Sequence, residues 1–317
     1  MSVPVGTWSE RDEAAREFER RLGLRPERDA ALAPHTTMRV GGPADLLVEV
    51  DDRFALRGAV RLARSRGWPL TILGRGSNVV IGDRGIRGVV ILNRSRGSSI
   101  DAATSTVELD SGVPMAKFAT LAAEAGLTGA EFALAIPGNI GGAVWANAGA
   151  HGSDIASIVS SVTIVDAAGE ERELAPGELA FGYRTSRFKG AVGSGEVIIG
   201  ARFALRRGDP AAIRARLDEI RAWRREHQPL GIPSAGSIFR NPPDGASAGA
   251  LVEAAGLKGA RVGGAEVSEM HANWILNRGG ATAAEIRELH DRCAAAVRAA
   301  AGIALESEVQ FLGEFAP

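Results

Sequence analysis

The sequence predicts an α+β fold divided into two or three domains. The first observation is length, because 317 residues exceed the usual size of one domain. The second is pattern: short apolar runs of strand length alternate with segments whose apolar residues recur at helical spacing. The third is the presence of long glycine-rich loops, which in compact proteins are usually functional. Hydrophobic residues make up 45% of the chain, which is enough for ordinary packed cores.

The first part of the chain combines a polar helix with a small β-α-β-β unit. The second helix is predicted from apolar residues at helical spacing that stop at Gly67, because glycine favours the C-terminal end of a helix. The strands are predicted from short apolar runs, with a glycine-rich loop between the last two. The predicted helices are 8–22 and 54–66, and the predicted strands are 46–50, 69–73 and 88–92.

A second unit begins near Ser98. Pro114 suits the first turn of a helix, and a long stretch of small residues without clear periodicity follows it at 135–152. The segment 181–190 is polar and aromatic, which predicts a loop or the start of a helix. The predicted helix of this unit is 114–126, and its predicted strands are 106–110, 162–166 and 197–205.

We place a domain boundary near residue 208, where the pattern changes to an arginine-rich helix over 210–226. The last helix has the clearest signal, because Thr282 and Glu285 form a capping box and an apolar stripe through Cys293 follows. We therefore predict that Cys293 is a core residue and not a reactive thiol. A strand over 309–312 ends the chain.

Composition excludes several classes of function. The 37 basic and 38 acidic residues give a net charge of -1, so nothing favours nucleic acid or an anionic membrane as partner. One cysteine cannot form an intrachain disulfide or a thiolate zinc cluster, and the histidines lack metal-ligand spacing, so we expect no metal. The sequence shows no signal-type or membrane-spanning apolar segment. We expect a cytoplasmic protein.

Two glycine-rich loops, Gly74–Asn78 and Pro137–Ala143, are the main candidates for ligand binding. Glycines let the backbone approach a ligand closely and direct successive N–H groups at an anion such as a pyrophosphate. Neither loop is a dinucleotide fingerprint of the Rossmann type, and neither is followed by the Lys-Ser/Thr of a Walker loop. From the residues alone, phosphate binding and two tight turns are about equally supported.

Four further segments carry side chains that could do chemistry. Residues 181–189 contain the only tyrosine and one of three lysines, and Ser237 follows a glycine in a proline-flanked loop. Glu306 and Glu308 enter the last strand on one face, and His271 could line a pocket. Taken singly, an exposed turn, a turn serine, solvated carboxylates and a structural histidine explain them as well or better. The residues themselves therefore leave the reaction open.

Together these segments resemble the family of UDP-N-acetylenolpyruvoylglucosamine reductases. Each motif alone is weakly specific, whereas their order from about Thr36 to Gly313 is very specific. The motifs are Thr37–Pro43, Gly74–Asn78, Ile136–Gly142, Tyr183–Lys189, Gly236–Pro242, His271–Trp274 and Glu308–Val309. The chain looks like the short members that lack an additional tyrosine-bearing substrate loop.

The resemblance implies a two-part FAD-binding fold of the vanillyl-alcohol-oxidase type and a C-terminal α+β substrate domain. The expected parts are 1–97 and 98–208 for the two FAD-binding subdomains, 209–305 for the substrate domain, and 306–317 for a strand that returns to the active site. FAD is expected between the first two parts, with its pyrophosphate on the glycine loops. The implied cofactor-binding residues are Arg39, Gly74, Arg75, Gly76, Ser77, Asn78, Ile136, Pro137, Gly138, Gly141, Gly142 and Asn147.

The family reaction that the resemblance implies has two halves: NADPH reduces the flavin, and the reduced flavin delivers hydride to C3 of an enolpyruvyl ether whose C2 is then protonated. Arg184 and Glu308 match the pair that stabilises the charge on the substrate, and Ser237 matches the proton donor. An ionised glutamate would repel that charge, so we hypothesise that Glu308 is protonated when it acts. Tyr183, Asn241 and either Arg224 or Arg225 are expected to contact the substrate, UDP-N-acetylglucosamine enolpyruvate.

Two other functions remain open at this level. The chain could be another flavoprotein of the same cofactor fold, since fold alone does not fix a reaction. It could also be a flavin- or nucleotide-binding sensor without turnover. The filled positions 184, 237 and 308 favour the reductase over both. We expect a monomer that binds neither nucleic acid nor membrane.

Overall fold

The computed structural model describes residues 8–190 and 195–315. Within these ranges the chain forms seven α-helices: α1 (Trp8–Leu22), α2 (Arg53–Ser65), α3 (Met115–Glu124), α4 (Ile140–Ala146), α5 (Pro210–His227), α6 (Ala248–Ala254) and α7 (Ala283–Ala301). The predicted helices 8–22, 54–66, 114–126 and 210–226 are confirmed to within two residues, and the final helix begins after Thr282 as predicted. Helices α4 and α6 are short and were not predicted.

The strands of the described chain are short and numerous. They are β1 (Glu27–Ala31), β2 (Pro43–Val50), β3 (Leu70–Leu73), β4 (Val79–Ile81), β5 (Ile86–Asn93), β6 (Ser98–Asp101), β7 (Thr106–Asp110), β8 (Leu127–Thr128), β9 (Gly149–Ala150), β10 (Ser153–Asp154), β11 (Val159–Val165), β12 (Glu171–Leu174), β13 (Val197–Ala204), β14 (Arg206–Arg207), β15 (Ser234–Ser237), β16 (Arg261–Val262), β17 (Ala265–Val267), β18 (Trp274–Asn277) and β19 (Gln310–Leu312). Every predicted strand is present, and the mixture of helices with mostly antiparallel sheets confirms the α+β class.

The chain divides into two compact units, and each is discontinuous in sequence. The first unit comprises Met1–Arg28, Asp45–Gly74 and Gly88–Trp223. The second comprises Asp29–Ala44, Arg75–Arg87 and Arg224–Pro317. The candidate residue Arg184 belongs to the first unit, and Ser237 and Glu308 belong to the second.

The first unit contains a five-stranded antiparallel sheet of order β12-β11-β13-β7-β6. Val107 and Leu109 alternate along β7, so both enter the core that α3 and α4 cover. The ring of Phe118 on α3 lies 4.5 Å from that of Phe203 on β13, centroid to centroid. This packing fixes the segment that leaves β7, against which α4 and its preceding loop lie.

A four-stranded sheet of order β1-β2-β5-β3 precedes it, with β3 and β5 parallel. Leu46, Val48 and Val50 alternate along β2 and are buried with the apolar face of α2. In α1, Phe18 is fully buried against Trp68, at 5.8 Å between ring centroids. Strand β3 runs directly into the first glycine-rich loop, so this packing holds the start of that loop.

The second unit is built on an antiparallel sheet of order β15-β18-β17-β16, with α6 and α7 contributing to one core. The buried stripe of α7 runs along Ile286, Leu289, Cys293 and Val297, as predicted. Burial raises the pKa of the Cys293 thiol to about 11. Cys293 is therefore a core residue, and its thiolate is scarce at neutral pH.

The N-terminus of α7 is capped twice. Thr282 Oγ1 accepts from the Glu285 amide at 3.1 Å, and the Glu285 carboxylate accepts from the Thr282 amide at 3.0 Å, which completes the predicted capping box. The carboxylate of Asp83 accepts from the amides of Ala283 and Ala284 at 2.8 and 2.9 Å. Because Asp83 follows β4 closely, this cap ties α7 to the segment behind the first glycine loop.

None of the helices in residues 8–190 and 195–315 combines the length and the apolar character that crossing a membrane requires.

Candidate active site

The second glycine loop, 136–142, is held by backbone hydrogen bonds to the segment that follows β7. The amide of Ile140 donates to Val113 O at 2.9 Å, and that of Gly141 donates to Ser111 O at 2.8 Å. A Cβ on Gly141 would lie only 3.0 Å from Ser111 Cβ, and Gly138 has a φ of 111°. These glycines therefore permit close backbone packing, and the amides of residues 140 and 141 are already used.

The outer part of the same loop is open. Pro137 and Gly142 are exposed, and a Cβ on Gly142 would meet no atom within 4 Å. Asn139 occupies the N-cap position of α4 but makes no side-chain capping bond. Its amide oxygen is buried and accepts no hydrogen bond from the residues that the structure describes. An open glycine beside an unsatisfied acceptor fits a ligand that carries hydroxyl or N–H donors, such as a flavin dinucleotide.

The first glycine loop, 74–78, is constrained at two glycines. In the first unit, a Cβ on Gly74 would lie 3.2 Å from Nδ2 of Asn139, so the two loops touch there. In the second unit, Gly76 has a φ of 58°, and a Cβ on it would lie 2.5 Å from His35 O. Thr37 N donates to Gly76 O at 3.1 Å. Any side chain at position 76 would therefore collide with backbone.

Asn78 links the first loop to the C-terminal segment. Its Nδ2 donates to Glu308 O at 3.0 Å, and its carbonyl accepts from Gln310 N at 2.9 Å. Directly after it, β4 pairs in parallel with β19, with Val79 opposite Gln310. The three-residue strand β4 was not predicted. This pairing returns the end of the chain to the glycine loop and fixes the backbone of Glu308.

The structure brings Ser237 and Glu308 together. Ser237 ends β15 opposite Trp274, and the preceding Gly236 has a φ of 76° at a register shift. The amide of Glu308 donates to Ile238 O at 2.8 Å, one residue beyond Ser237. Both candidate side chains are half-buried. Two residues separated by 71 positions in sequence thus lie on adjacent, hydrogen-bonded backbone.

Glu306 and Glu308 have different environments although they share a strand face in the sequence pattern. The Glu306 side chain is 76% exposed and pairs with Arg240 at 3.1 Å. Its backbone oxygen accepts from Arg240 N at 2.9 Å. The structure therefore identifies Glu306 as a surface carboxylate and leaves Glu308 as the candidate for chemistry.

Asn273 is a positioning residue that sequence reasoning missed. It is buried, its Nδ2 donates to Phe239 O at 2.8 Å, and its Oδ1 accepts from Phe239 N at 3.0 Å. Its own carbonyl accepts from Ile238 N at 2.9 Å. One asparagine thus replaces a strand partner for the residues next to Ser237. Asn273 lies in the motif 271–274, but no sequence pattern shows that its side chain replaces a strand partner.

His271 has a structural role. Burial lowers the pKa of its imidazole, and Nδ1 accepts from the Asn273 amide at 3.2 Å. A Cβ on Gly249 would lie 3.1 Å from its ring, so the histidine packs against the start of α6. This environment favours the neutral form at neutral pH.

Arg184 lies in a tight turn of the first unit. Gly182 N donates to Thr185 O at 3.1 Å and Thr185 N to Gly182 O at 3.2 Å, which leaves Tyr183 and Arg184 as the two turn residues. Arg184 has a φ of 54°, a conformation that side-chain-bearing residues rarely adopt. Its guanidinium lies 5.5 Å from the Tyr183 ring centroid, and Tyr183 is 59% exposed. The turn exposes Tyr183, whereas Arg184 is half-buried.

Arg187, in the same motif, is distinguished from Arg184 by its partners. Its Nε and Nη2 bind the buried carboxylate of Glu196 at 3.0 and 2.8 Å, and its Nη1 donates to Glu178 O at 3.0 Å. These bonds anchor the segment that follows the turn. Arg187 therefore anchors this segment to the protein.

The remaining expected cofactor residues have varied surroundings. Arg39 is exposed and has a φ of 57°, and its backbone amide donates to Thr36 O at 3.3 Å. Arg75 is exposed, and Ser77 is half-buried. Asn147 is buried, and its Nδ2 donates to Gly182 O at 3.0 Å, so its amide is used inside the protein. No group of three or more acidic, histidine or cysteine side chains in the described residues could hold a metal.

The structure distinguishes the expected substrate residues of the second unit by their burial and hydrogen bonds. Arg224 is half-buried, its Nε donates to Gln228 at 3.0 Å, and burial lowers the pKa of its guanidinium. Arg225 is exposed. Arg224 is the better phosphate candidate, because a partly desolvated cation interacts more strongly with an anion. Asn241 is exposed, and its Oδ1 accepts from Ala248 N at 3.0 Å, which anchors the start of α6.

Two family models match this chain. Residues 228–312 match UDP-N-acetylenolpyruvoylglucosamine reductase, C-terminal domain. Residues 44–175 match the FAD binding domain. The second range contains both glycine loops, and the first contains Ser237 and Glu308.

Curated relatives cover nearly the whole chain. The UDP-N-acetylenolpyruvoylglucosamine reductase 2 of Symbiobacterium thermophilum is 44% identical over 289 residues, 91% of this chain and 92% of the relative. The UDP-N-acetylenolpyruvoylglucosamine reductase of Heliobacterium modesticaldum is 43% identical over 283 residues, 89% of each chain. The crystal structure of UDP-N-acetylenolpyruvylglucosamine reductase from Thermus caldophilus superposes with a TM-score of 0.78 at 34% identity, covering 92% of this chain and 100% of that one. This chain therefore belongs to the UDP-N-acetylenolpyruvoylglucosamine reductase family and carries its FAD-binding domain.

Proposed function

We propose that the chain reduces UDP-N-acetylglucosamine enolpyruvate to UDP-N-acetylmuramate with FAD and NADPH, a step in the synthesis of peptidoglycan precursors. The observation that carries the proposal is the pairing of the Glu308 backbone with the residue after Ser237, within a chain of this family. That pairing brings the backbone segments of Ser237 and Glu308 next to each other, which supports a common site for their hydroxyl and carboxyl groups. Enol ether reduction requires a proton donor and a group that stabilises negative charge.

The glycine loops are proposed to hold FAD. Gly142 offers open space in the first unit, and Asn139 offers an unsatisfied amide oxygen. In the second unit, Gly76 and Asn78 fix the backbone that carries Ser77. When bound, FAD supplies the hydride chemistry that no side chain provides. We retain 1–97, 98–208, 209–305 and 306–317 as the proposed functional division.

Ser237 is proposed to donate the proton to C2 of the substrate. A serine hydroxyl is a weak acid, so it can donate only to a strong base, such as the carbon of an enolate. Its position is well defined, because β18 pairs with it on one side and the neighbouring residue 238 accepts from Glu308 on the other. A positioned acid of this kind contributes about 10²- to 10⁴-fold to a rate.

Arg184 and Glu308 are proposed to stabilise the charge that develops on the substrate carboxylate. The planar guanidinium of Arg184 suits a carboxylate that becomes an enolate. Glu308 can assist only as the neutral acid, because its carboxylate would repel that charge. A Glu308→Gln variant keeps a hydrogen-bond donor but cannot transfer a proton. Full activity of this variant would exclude a proton-transfer role for Glu308.

Substrate recognition is proposed to involve Tyr183, Arg224 and Asn241, with Arg224 facing the UDP phosphates. The half-burial of Arg224 and the exposure of Tyr183 support this assignment. We place the reaction in the cytoplasm, because UDP-sugars and NADPH are cytoplasmic metabolites, and we propose that one chain is the active unit. Light scattering of the purified protein with bound FAD tests the monomer.

An anaerobic flavin experiment tests the function. NADPH should bleach the flavin absorbance, and addition of the UDP-linked enolpyruvyl sugar should restore it with formation of the lactyl ether. Recovery only in air would instead identify another flavoprotein, and a protein unable to bind FAD would exclude the proposal. Ser237→Ala should keep the first half and lose the second by about 10²-fold or more. Equal damage to both halves would contradict the proton-donor role.

A further inference from the structure

We propose that Asn147 and Lys189 are positioning residues that hold Arg184 in its left-handed backbone conformation. The inference rests on the proposed function, because it assigns both residues to the substrate half-reaction through Arg184. It differs from the expectation that Asn147 binds FAD. All the groups involved lie in the first unit.

The turn itself does not account for the conformation of Arg184. Two mutual backbone bonds between Gly182 and Thr185 close it, and they leave the intervening residues free to choose among turn types. A positive φ is the rare choice for a residue with a Cβ, and such conformations persist only where the surroundings impose them. The φ of 54° at Arg184 belongs to the turn types with a left-handed third residue, and contacts from outside the turn select among the types.

Asn147 supplies the first contact. It ends α4 with a φ of 43° and is buried. Its Nδ2 donates to Gly182 O at 3.0 Å, and its Oδ1 accepts from Ala156 N at 2.9 Å. Because both ends of the amide are engaged, its orientation is fixed, and so is the carbonyl that enters the turn.

Lys189 supplies the second contact. Its Nζ donates to Arg184 O at 2.7 Å, a short, charge-assisted bond to the carbonyl that leaves Arg184. The same ammonium lies 4.4 Å from the ring centroid of Trp145 on α4, which favours a cation. Ser186 Oγ donates to Trp145 O at 2.6 Å and holds the intervening chain to the helix.

The two contacts bracket the turn. Asn147 holds the peptide that enters the turn, between residues 182 and 183, and Lys189 holds the peptide that leaves Arg184, so the turn is held at both ends by contacts to α4 and its C-terminal residue. Helix α4 begins at the second glycine loop. The arrangement therefore fixes the backbone of Arg184 relative to that loop.

Replacing Lys189 tests the inference. Lys189→Met should leave reduction of the flavin by NADPH within about twofold and slow its reoxidation by substrate, by up to about 10²-fold, the scale of loss for a misplaced group. Lys189→Arg should recover most of the rate, because a guanidinium also donates to a carbonyl and stacks on an indole. Lys117→Met, at an exposed position of α3, is the matched control and should behave as the wild type.

A double-mutant cycle with Arg184→Met separates positioning from general damage. Arg184→Met alone should slow the second half-reaction, and Lys189→Met should add no further loss in that background. Equal losses from Lys189→Met in both backgrounds would overturn the positioning role. An Arg184→Met enzyme with the full second half-reaction would instead remove the role that the proposed function gives to Arg184.

Trp145→Phe gives a milder test that preserves packing. A benzene ring attracts a cation less strongly than an indole, so the second half-reaction should slow in the same direction but less than in Lys189→Met. FAD affinity, measured by flavin fluorescence, should stay within about twofold of wild type. A selective loss of FAD affinity, with the second half-reaction unchanged, would show that this pair serves the cofactor and would refute the inference.

Discussion

Replacing Asn273 with alanine should destabilise the second unit and disorder the backbone beside Ser237. The wild-type amide satisfies both the N–H and the C=O of Phe239, at 3.0 and 2.8 Å, in a position where neither reaches water. Alanine removes both partners at once. Each orphaned buried group costs about 1–3 kcal/mol, so the loss of both partners should lower the free energy of unfolding by about 2–6 kcal/mol.

Urea unfolding of the FAD-free protein measures this loss, with the midpoint and the slope m reported separately. Asn241→Ala is the matched control, because that asparagine is exposed and its bond to Ala248 N resembles a helix cap. Its expected cost is about 0.5–2 kcal/mol. A loss below about 1 kcal/mol in Asn273→Ala, at unchanged m, would refute the argument that its amide replaces a strand partner.

Asn273→Ala should also change the kinetics of the second half-reaction. Residues 238–240 pair with residues 306–308, so a loosened Phe239 should displace both Ser237 and Glu308. The second half-reaction should therefore fall by about 10-fold to 10²-fold, whereas flavin reduction by NADPH should change little. Parallel losses in both half-reactions would indicate damage to the cofactor site instead.

Three further predictions concern single positions. Gly76→Ala should weaken FAD binding and lower the free energy of unfolding more than Gly67→Ala does. Both glycines have positive φ, but only a Cβ at position 76 would lie 2.5 Å from a backbone oxygen. Flavin titration and urea unfolding measure the two effects, and equal losses in the two variants would contradict the prediction. Cys293 should resist a thiol reagent at pH 8 in the native protein and react fully after unfolding, since burial raises its pKa to about 11; rapid native labelling would contradict it. Burial lowers the pKa of His290, so the unfolded chain binds its proton first and stability should fall as pH drops below 6.5. His290→Phe should reduce that slope by at most about 1.4 kcal/mol per pH unit, and an unchanged slope would refute the assignment.

The elements that the sequence predicted well are those stabilised by their own local pattern. Helix α7 combines a capping box with an apolar stripe, and α2 ends where Gly67 permits a positive φ. Strands such as β7 and β13 contain enough alternating or continuous apolar residues to be recognised alone. In these segments, burial in the core favours the same element that the local sequence favours, so the tertiary structure leaves the predicted element unchanged.

The elements that were missed depend on distant partners. Strand β4 has three residues and exists because β19, more than 200 positions later, pairs with it. Glycine roles were equally hidden: Gly42 is glycine because a Cβ would collide with the Asp83 carbonyl, whereas Gly142 faces open space. The sequence identifies both only as glycines. The packing around each one shows whether the missing side chain makes room for neighbouring backbone or leaves space for a ligand.

The arginines show the same limit of sequence analysis, and their surroundings in the structure show how it is overcome. The bias toward arginine makes each guanidinium weak evidence for a site. The structure distinguishes two of them: Arg187 binds a buried carboxylate, whereas Arg184 has a rare backbone conformation in a turn that other residues hold. A left-handed conformation at a residue with a side chain is costly to maintain, and such conformations are frequent at functional sites, which supports the role proposed for Arg184.

The candidate site has one recurring device, an asparagine amide that hydrogen-bonds to irregular backbone. Asn78 holds the carbonyl of Glu308, Asn147 holds the turn of Arg184, and Asn273 holds the residues after Ser237. Each proposed reacting side chain thus sits on backbone that lacks a full strand or helix ladder and is completed by an amide. An amide can satisfy a donor and an acceptor together without adding charge, so it fixes loop geometry at little electrostatic cost. If the proposed reacting groups are correct, replacing any of these three asparagines should impair the substrate half-reaction, because each amide holds the backbone that carries one of them.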